Sequence, residues 1–396
     1  MSAPGVHQPA RPYFERIDVL RAVAIGLVFL HHYYTTLFSV PEKAAAFVQS
    51  WPAWLQRFET PFLLVPRMGY MGVQLFFVIS GFCIHGSYLS WRKRNRENPT
   101  SSFLPVFFWR RFWRIVPAYL ASLIVSYVLC YDHLLSRSSL RQLLVAATLL
   151  KTLVPEHFFT INWAHWSVAV EWQLYVVYPA LLWFALWRGW RMTIVLAWAL
   201  AAALQFVAPN FTHASYILHL PFTWWFEWTL GVLIAESQAQ GQRVFAAHGW
   251  LAAGLVLATV VSFLCNWGPA NWLGPRLLSG VVVEWMLLVR APLGSFQRRL
   301  VSVGLCSYSV YLFHLPLIEL IWRGMKLAGL DPSSLPVWIL SGGVVFLLVL
   351  VVCWWSYQRL ELGSVRLGDR LWKTWESRRK TVSITSGRAS EVATGV

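Results

Sequence analysis

The sequence predicts an all-α fold, a polytopic bundle of about ten transmembrane helices. Three observations carry that prediction. The chain is 57% hydrophobic and 13% charged, where soluble domains carry about 25% charged residues, and its mean hydropathy is +0.51. Apolar runs long enough to cross a bilayer, about 20 residues each, recur between clusters of charge, Gly, Pro or Asn. The 25 tryptophans suit a membrane–water interface.

Residues 1–16 form a polar N-terminal segment with Arg11 and Arg16. The apolar run behind it lacks a small-residue cleavage pattern, so it reads as a retained first span rather than a signal peptide. The spans run roughly over 17–38, 70–90, 112–131, 168–187, 191–208, 218–236, 249–266, 273–290, 303–322 and 337–357. The stretch SLRQLLVAATLLKTLV, 139–154, is short for a span and carries Arg141 and Lys151; it is placed as an interfacial or re-entrant helix. The membrane domain thus fills 17–360. Residues 361–396 make a basic tail whose Ser/Thr-rich end is expected to be disordered.

Ten spans put both termini on one side. With the N-terminus in the cytoplasm, 24 of the 33 lysines and arginines fall on that side, as the positive-inside rule requires. The net charge of +16 is then a topology signal, and no nucleic-acid partner is expected. The five cysteines lie in apolar stretches without a C-x-x-C pair and read as small buried hydrophobes. Neither a disulfide nor a metal site is expected.

An ionisable residue at bilayer depth is costly and marks a functional candidate. In the first span, Arg21 and His32 are 11 residues apart, about three turns, and share a face; His31 is rotated by about 100°. The rise from Arg21 to His32 is roughly 16 Å, which suits an anionic ligand with a long arm, although His32 could equally hydrogen-bond a neighbouring helix. Asp18 lies one turn before Arg21. The second span holds Gly69, Gly72, Ser80 and Gly81, which permit close helix packing, and His85 near its end, placed as snorkelling.

Between spans two and three, Arg110, Arg111 and Arg114 interleave with aromatics. They suit phosphate, bound bidentately by guanidinium, or they form an ordinary basic cluster that sets topology and binds anionic lipid. The fourth span begins with Trp166 and Ser167 and carries Glu171 one turn in. That carboxylate needs a partner, either an imidazole to orient or an arginine. In the ninth span Tyr308, Tyr311 and His314 recur every three residues on one side, as cavity lining or as packing. Glu284 and Glu319 are further carboxylates at membrane depth.

Taken in order, these segments resemble the acyltransferase 3 family of integral-membrane O-acyltransferases, the bacterial cell-surface polysaccharide acetyltransferases. RIDVLRAVAIGLVFLHH is similar to the family's opening helix, an arginine, ten residues and a histidine, which matches Arg21 and His32 rather than His31. GVQLFFVISGF, RRFWRIVPAYL, WSVAVEWQLYVVYP and SYSVYLFHLP resemble four later motifs. Two departures stand out: Trp172 occupies the place of a second acid after Glu171, and the last span ends in RLELG, keeping Glu361.

The resemblance implies transfer of an acyl group, most often acetyl, from cytoplasmic acyl-CoA to a sugar hydroxyl of a surface or exported polysaccharide, lipopolysaccharide or glycolipid. The chain would sit in the bacterial inner membrane with both termini cytoplasmic. Acyl-CoA would be a co-substrate, with no permanent cofactor. On this reading CoA phosphates dock on Arg110, Arg111, Arg114 and Arg21. His32 acts as general base on the acceptor, or as an acyl carrier, and Glu171 orients or charge-stabilises it. Asp18, Ser80, Trp166, Ser167, Tyr308, Tyr311 and His314 line the cavity. With no appended soluble domain in view, the chain would complete its chemistry alone or hand on to a partner. The rival reading is a transporter or flippase of a lipid-linked sugar.

Overall fold

The computed structural model describes residues 14–38, 41–57, 66, 69–130, 134–212, 214–245, 248–264, 268–330 and 335–393. These form helices and turns, with no strand among the described residues. Helices of eleven residues or more are numbered in chain order: α1 Glu15–Phe38, α2 Tyr70–Arg94, α3 Phe103–Cys130, α4 Arg137–Ala147, α5 His165–Arg188, α6 Trp190–Val207, α7 Trp225–Ala239, α8 His248–Leu264, α9 Gly268–Leu288, α10 Ser295–Leu305, α11 Ser307–Leu327, α12 Leu335–Ser356 and α13 Leu362–Ala393. The near end of the bundle is the end where α1 begins, and the far end is where it finishes.

A helix covers most of each of the ten expected spans. Among the described residues, six stretches are long and apolar enough to cross a membrane: Glu15–Thr36, Tyr70–Arg94, Thr100–Leu129, His165–Arg188, Trp190–Asn210 and Leu335–Arg378. A seventh arises only if α10 and α11, which meet at a 70° bend, count as one span. On the described residues, three of the expected spans are not among these stretches. Part of 218–236 is a 3-10 turn at Pro221–Trp224, leaving α7 with 15 residues. α8 has 17 described residues, and α9 is a continuous helix that carries Arg276 and Glu284. The 139–154 stretch forms the short α4 and a 3-10 turn at Lys151–Leu153.

Glycine sets the closest crossings. A methyl group at Gly72 would overlap the Ala24 carbonyl oxygen of α1, and one at Gly81 would overlap that of Trp228 in α7. The second span therefore packs on both sides backbone to backbone. The membrane-depth carboxylates also find partners. Glu227 pairs with Arg276 at 2.8 Å. Glu284 accepts the Val244 and Phe245 amides at 2.6 and 2.9 Å and meets His248 at 2.7 Å. Glu319 pairs with Arg323 one turn on. His85 does not snorkel: it is fully buried between Tyr178, at 2.9 Å, and Glu236, at 2.7 Å.

Two prolines turn helix bonds into joints. A proline has no N–H for the carbonyl four residues back. Pro316 in α11 thus leaves the Leu312 carbonyl free, and Ser122 of α3 and Asn162 donate to it at 2.7 and 3.4 Å. Pro117 in α3 leaves the Trp113 carbonyl free, and Ser364 of α13 donates to it at 2.7 Å. Trp109 adds a bond to the Gly368 carbonyl and packs on Trp372. α13 runs Leu362–Ala393, and these indole contacts along α3 dock its first turns.

Candidate active site

A cavity of about 250 Å³ lies among α1, α2, α3, α5 and α11. Arg21, Arg111 and Arg114 line its near end, Ser80, Glu171 and Tyr175 its waist, and Ser167 and Tyr311 its far end.

The three arginines differ in their bonding. Arg21 donates to Asp18 at 2.6 Å, one helical turn away, and to the Cys83 sulfur at 3.3 Å. Arg114 meets Glu361 at 3.6 Å, and Ser309 also donates to that buried carboxylate. Glu361 closes a single π turn, Tyr357–Glu361, a local irregularity often found at functional sites. Arg111 lies over the Tyr175 ring at 6.0 Å. Its Nε is buried without a hydrogen-bond partner, and among the described residues no carboxylate pairs with it. A guanidinium left so in a cavity is prepared for an anion.

At the waist, Glu171 accepts the Ser80 hydroxyl at 2.6 Å and the Tyr175 hydroxyl from one turn on. The Trp228 indole N–H points to Ser80 Oγ at 3.3 Å. Above them Ser167 donates to Tyr311 Oη at 2.5 Å, and Tyr311 donates to the Ala164 carbonyl at 3.0 Å.

The histidines sit beyond this far end. His314 Nδ1 lies 2.8 and 3.1 Å from the carbonyl oxygens of Tyr311 and Val310. Both oxygens only accept, so Nδ1 carries the hydrogen. His314 Nε2, 2.6 Å from His32 Nδ1, then accepts from His32. In the neutral pair this assignment leaves the lone pair of His32 on Nε2, the tautomer of a general base. His32 is buried, and its ring packs at 68° to the Trp163 ring, centroids 4.7 Å apart. His31 turns away to the Pro66 carbonyl at 2.8 Å.

A family profile described as an acyltransferase domain, acyltransferase 3, matches residues 14–357, which is most of the chain and all of the cavity apart from Glu361 behind it. The chain belongs to the acyltransferase 3 family. Its relatives include the peptidoglycan O-acetyltransferase OatA of Listeria monocytogenes, 24% identical over 78% of this chain and 50% of that protein. The chain therefore spans about half of OatA's length. The acyltransferase MdmB of Streptomyces mycarofaciens is 25% identical over 75% of this chain and 80% of that protein. No solved structure matches.

Within this acyltransferase 3 chain, the cavity gathers Arg21, Ser80, Arg111, Arg114, Ser167, Glu171, Tyr308 and Tyr311. His32 and His314 form the pair above it, and Asp18 holds Arg21. Two expected residues stand apart. Arg110 is exposed and off the cavity lining, because α3 begins at Phe103 and places it about 100° from Arg111. Trp166 is buried among His219 and Trp224. Glu171 does not hold His32; His314 does, since the hydroxyls of Ser80 and Tyr175 occupy the carboxylate. Sequence reasoning missed Tyr175, Trp228 and Cys83. Only Tyr175, four residues after Glu171 on the same helix face, left a readable sign.

Proposed function

We propose that the chain transfers a short acyl group, acetyl first among them, from cytoplasmic acyl-CoA to a sugar hydroxyl on the opposite side of the membrane. The observation that carries this reading is Arg111, a guanidinium with no carboxylate partner among the described residues, inside a cavity that ends beneath the His32–His314 pair. The near end faces the cytoplasm, in keeping with the basic bias of its segments. CoA phosphates engage Arg111 and Arg114, with Arg21 behind, and the pantetheine arm extends along Ser80 and Glu171 towards Ser167. The match to a peptidoglycan O-acetyltransferase favours a polysaccharide-type acceptor.

At the far end His32 Nε2 takes the proton of the acceptor hydroxyl as its oxygen attacks the thioester carbonyl. The tetrahedral adduct expels the CoA thiolate, which recovers that proton from His32. His314 shares the transient imidazolium charge through the 2.6 Å bond, the place that a carboxylate fills in a triad.

Purified chain in lipid nanodiscs, given radiolabelled acetyl-CoA, should release CoA thiol and load label onto an added glycan, with free CoA competing. Folded protein that neither binds CoA nor releases thiol from any short acyl-CoA would overturn the reading.

A further inference from the structure

The far-end turn between α4 and α5 is built in a way that packing alone does not require. Ile161 has φ +67°, a left-handed backbone that is an outlier for a β-branched residue and persists only where its surroundings enforce it. The enforcement is visible. Lys151 is fully buried, and its ammonium donates to the carbonyls on either side of Ile161: Thr160 at 2.9 Å and Asn162 at 3.1 Å. Burial pushes that ammonium down to about 7. Asn162 in turn donates to Ser126 and to the freed Leu312 carbonyl, and accepts from the Ala164 amide.

The residue so held is Trp163. Trp163 is 37% exposed, whereas the nearby Trp166 and Trp224 are each 8% exposed. Its ring also meets that of His32, centroids 4.7 Å apart with the planes at 68°. A rigid aromatic surface that is partly open and touches the base offers a flat apolar face, and pyranose rings present a matching face of C–H bonds. Aromatic rings with a few placed polar groups are how ligand sites commonly fix orientation.

We propose that the turn Thr160–Ala164 is the acceptor platform, where Trp163 receives the face of a sugar ring beside His32 and Lys151 holds the turn in shape. This inference rests on the acyl-transfer reading for its chemistry, but glycan binding can be read without that chemistry. The rival role for an exposed tryptophan is an anchor in the membrane interface, which would need neither the packing against His32 nor the lysine clamp.

The test uses the full chain in nanodiscs, with methyl β-D-glucopyranoside and a chitin tetramer as probes. Saturation-transfer NMR should detect probe binding in wild type and none in Trp163→Ala. In transfer assays Trp163→Ala should raise the acceptor KM about tenfold while the donor KM stays within about twofold. Trp163→Phe should recover most of that loss. Lys151→Met should shift the acceptor KM the same way; because removing a buried clamp can also disturb folding, the tryptophan pair decides. Equal probe binding by wild type and Trp163→Ala, no binding by wild type, or a defect confined to kcat would overturn the platform. A probe that binds wild type but not Trp163→Ala, with no thiol released from acetyl-CoA by either, would instead keep the platform and remove the acyl-CoA reading.

Discussion

The two ends of the cavity solve opposite problems. The near end gathers charge: Arg21 and Arg114 each face a carboxylate, and Arg111 is left without one among the described residues. The far end is lined by the Ser167 and Tyr311 hydroxyls, and beyond it stand two imidazoles bonded to each other, one of them anchored on backbone carbonyls. The difference separates gripping from reacting. Strong electrostatics serve to hold a multiply charged donor, whereas a base needs a free lone pair and a fixed tautomer. Substitutions at the near end should therefore act on KM, and those at the far end on kcat.

The largest effect should come from His32. His32→Ala should lower transfer by about 10²–10⁴ with membrane insertion unchanged, while His31→Ala, whose ring bonds Pro66 instead, should stay near wild type in the same radiolabel assay. Equal losses from both would erase the distinction between the two faces of α1.

Next comes His314. Losing the residue that fixes the tautomer of His32 should cost about 10–100-fold in kcat, with the donor KM unmoved. A His314→Ala variant whose defect lies wholly in donor KM would mean that the two ends are not functionally separate.

The near end should respond more mildly. Arg111→Lys replaces a planar fork by a point charge and should raise the donor KM about tenfold. Arg114→Lys, with a side chain 46% exposed, should do less, and Arg110→Lys nothing. If all three behaved alike, the cluster would be a topology signal rather than a phosphate grip.

The smallest expected effect is on stability. Burial holds Lys151 down at about 7, from an ordinary 10.5, so between those values the unfolded chain binds more protons than the folded one. Stability should rise with pH across that window, and its cost should be fully present below about pH 7. Thermal unfolding at pH 7 and pH 9 should show the slope in wild type and its loss in Lys151→Met.

Much of this was readable in advance because it is local. An 11-residue spacing places Arg21 and His32 on one face, and small residues in the second span mark close packing. The pairing of His32 with His314, 282 residues apart, was not readable: each had a visible polar tip, but the crossing of α1 with α11 decides which tips meet. The same limit misassigned Glu171, whose partners come from α2 and its own next turn. The arginines were blurred for another reason. Apolar content alone set the third span to begin near 112, but the helix starts at Phe103 after the Thr100–Ser102 turn, so Arg110 and Arg111 are already helical and point in different directions. Where a 3-10 turn or a buried ion pair falls inside an apolar run, the described helix is shorter or more polar than hydropathy alone suggested.

The two proline joints also set an order of assembly. The carbonyl freed by Pro316 meets donors already synthesised, Ser122 and Asn162. The carbonyl freed by Pro117 waits for Ser364, made 251 residues after Trp113. Glu361, which braces Arg114, arrives just before it. On the proposed reading, the His32–His314 pair can thus settle as soon as α11 is inserted, while the brace on Arg114 waits for the segment that follows α12. The imidazole pair would then form in the nascent protein before the last of the arginine braces.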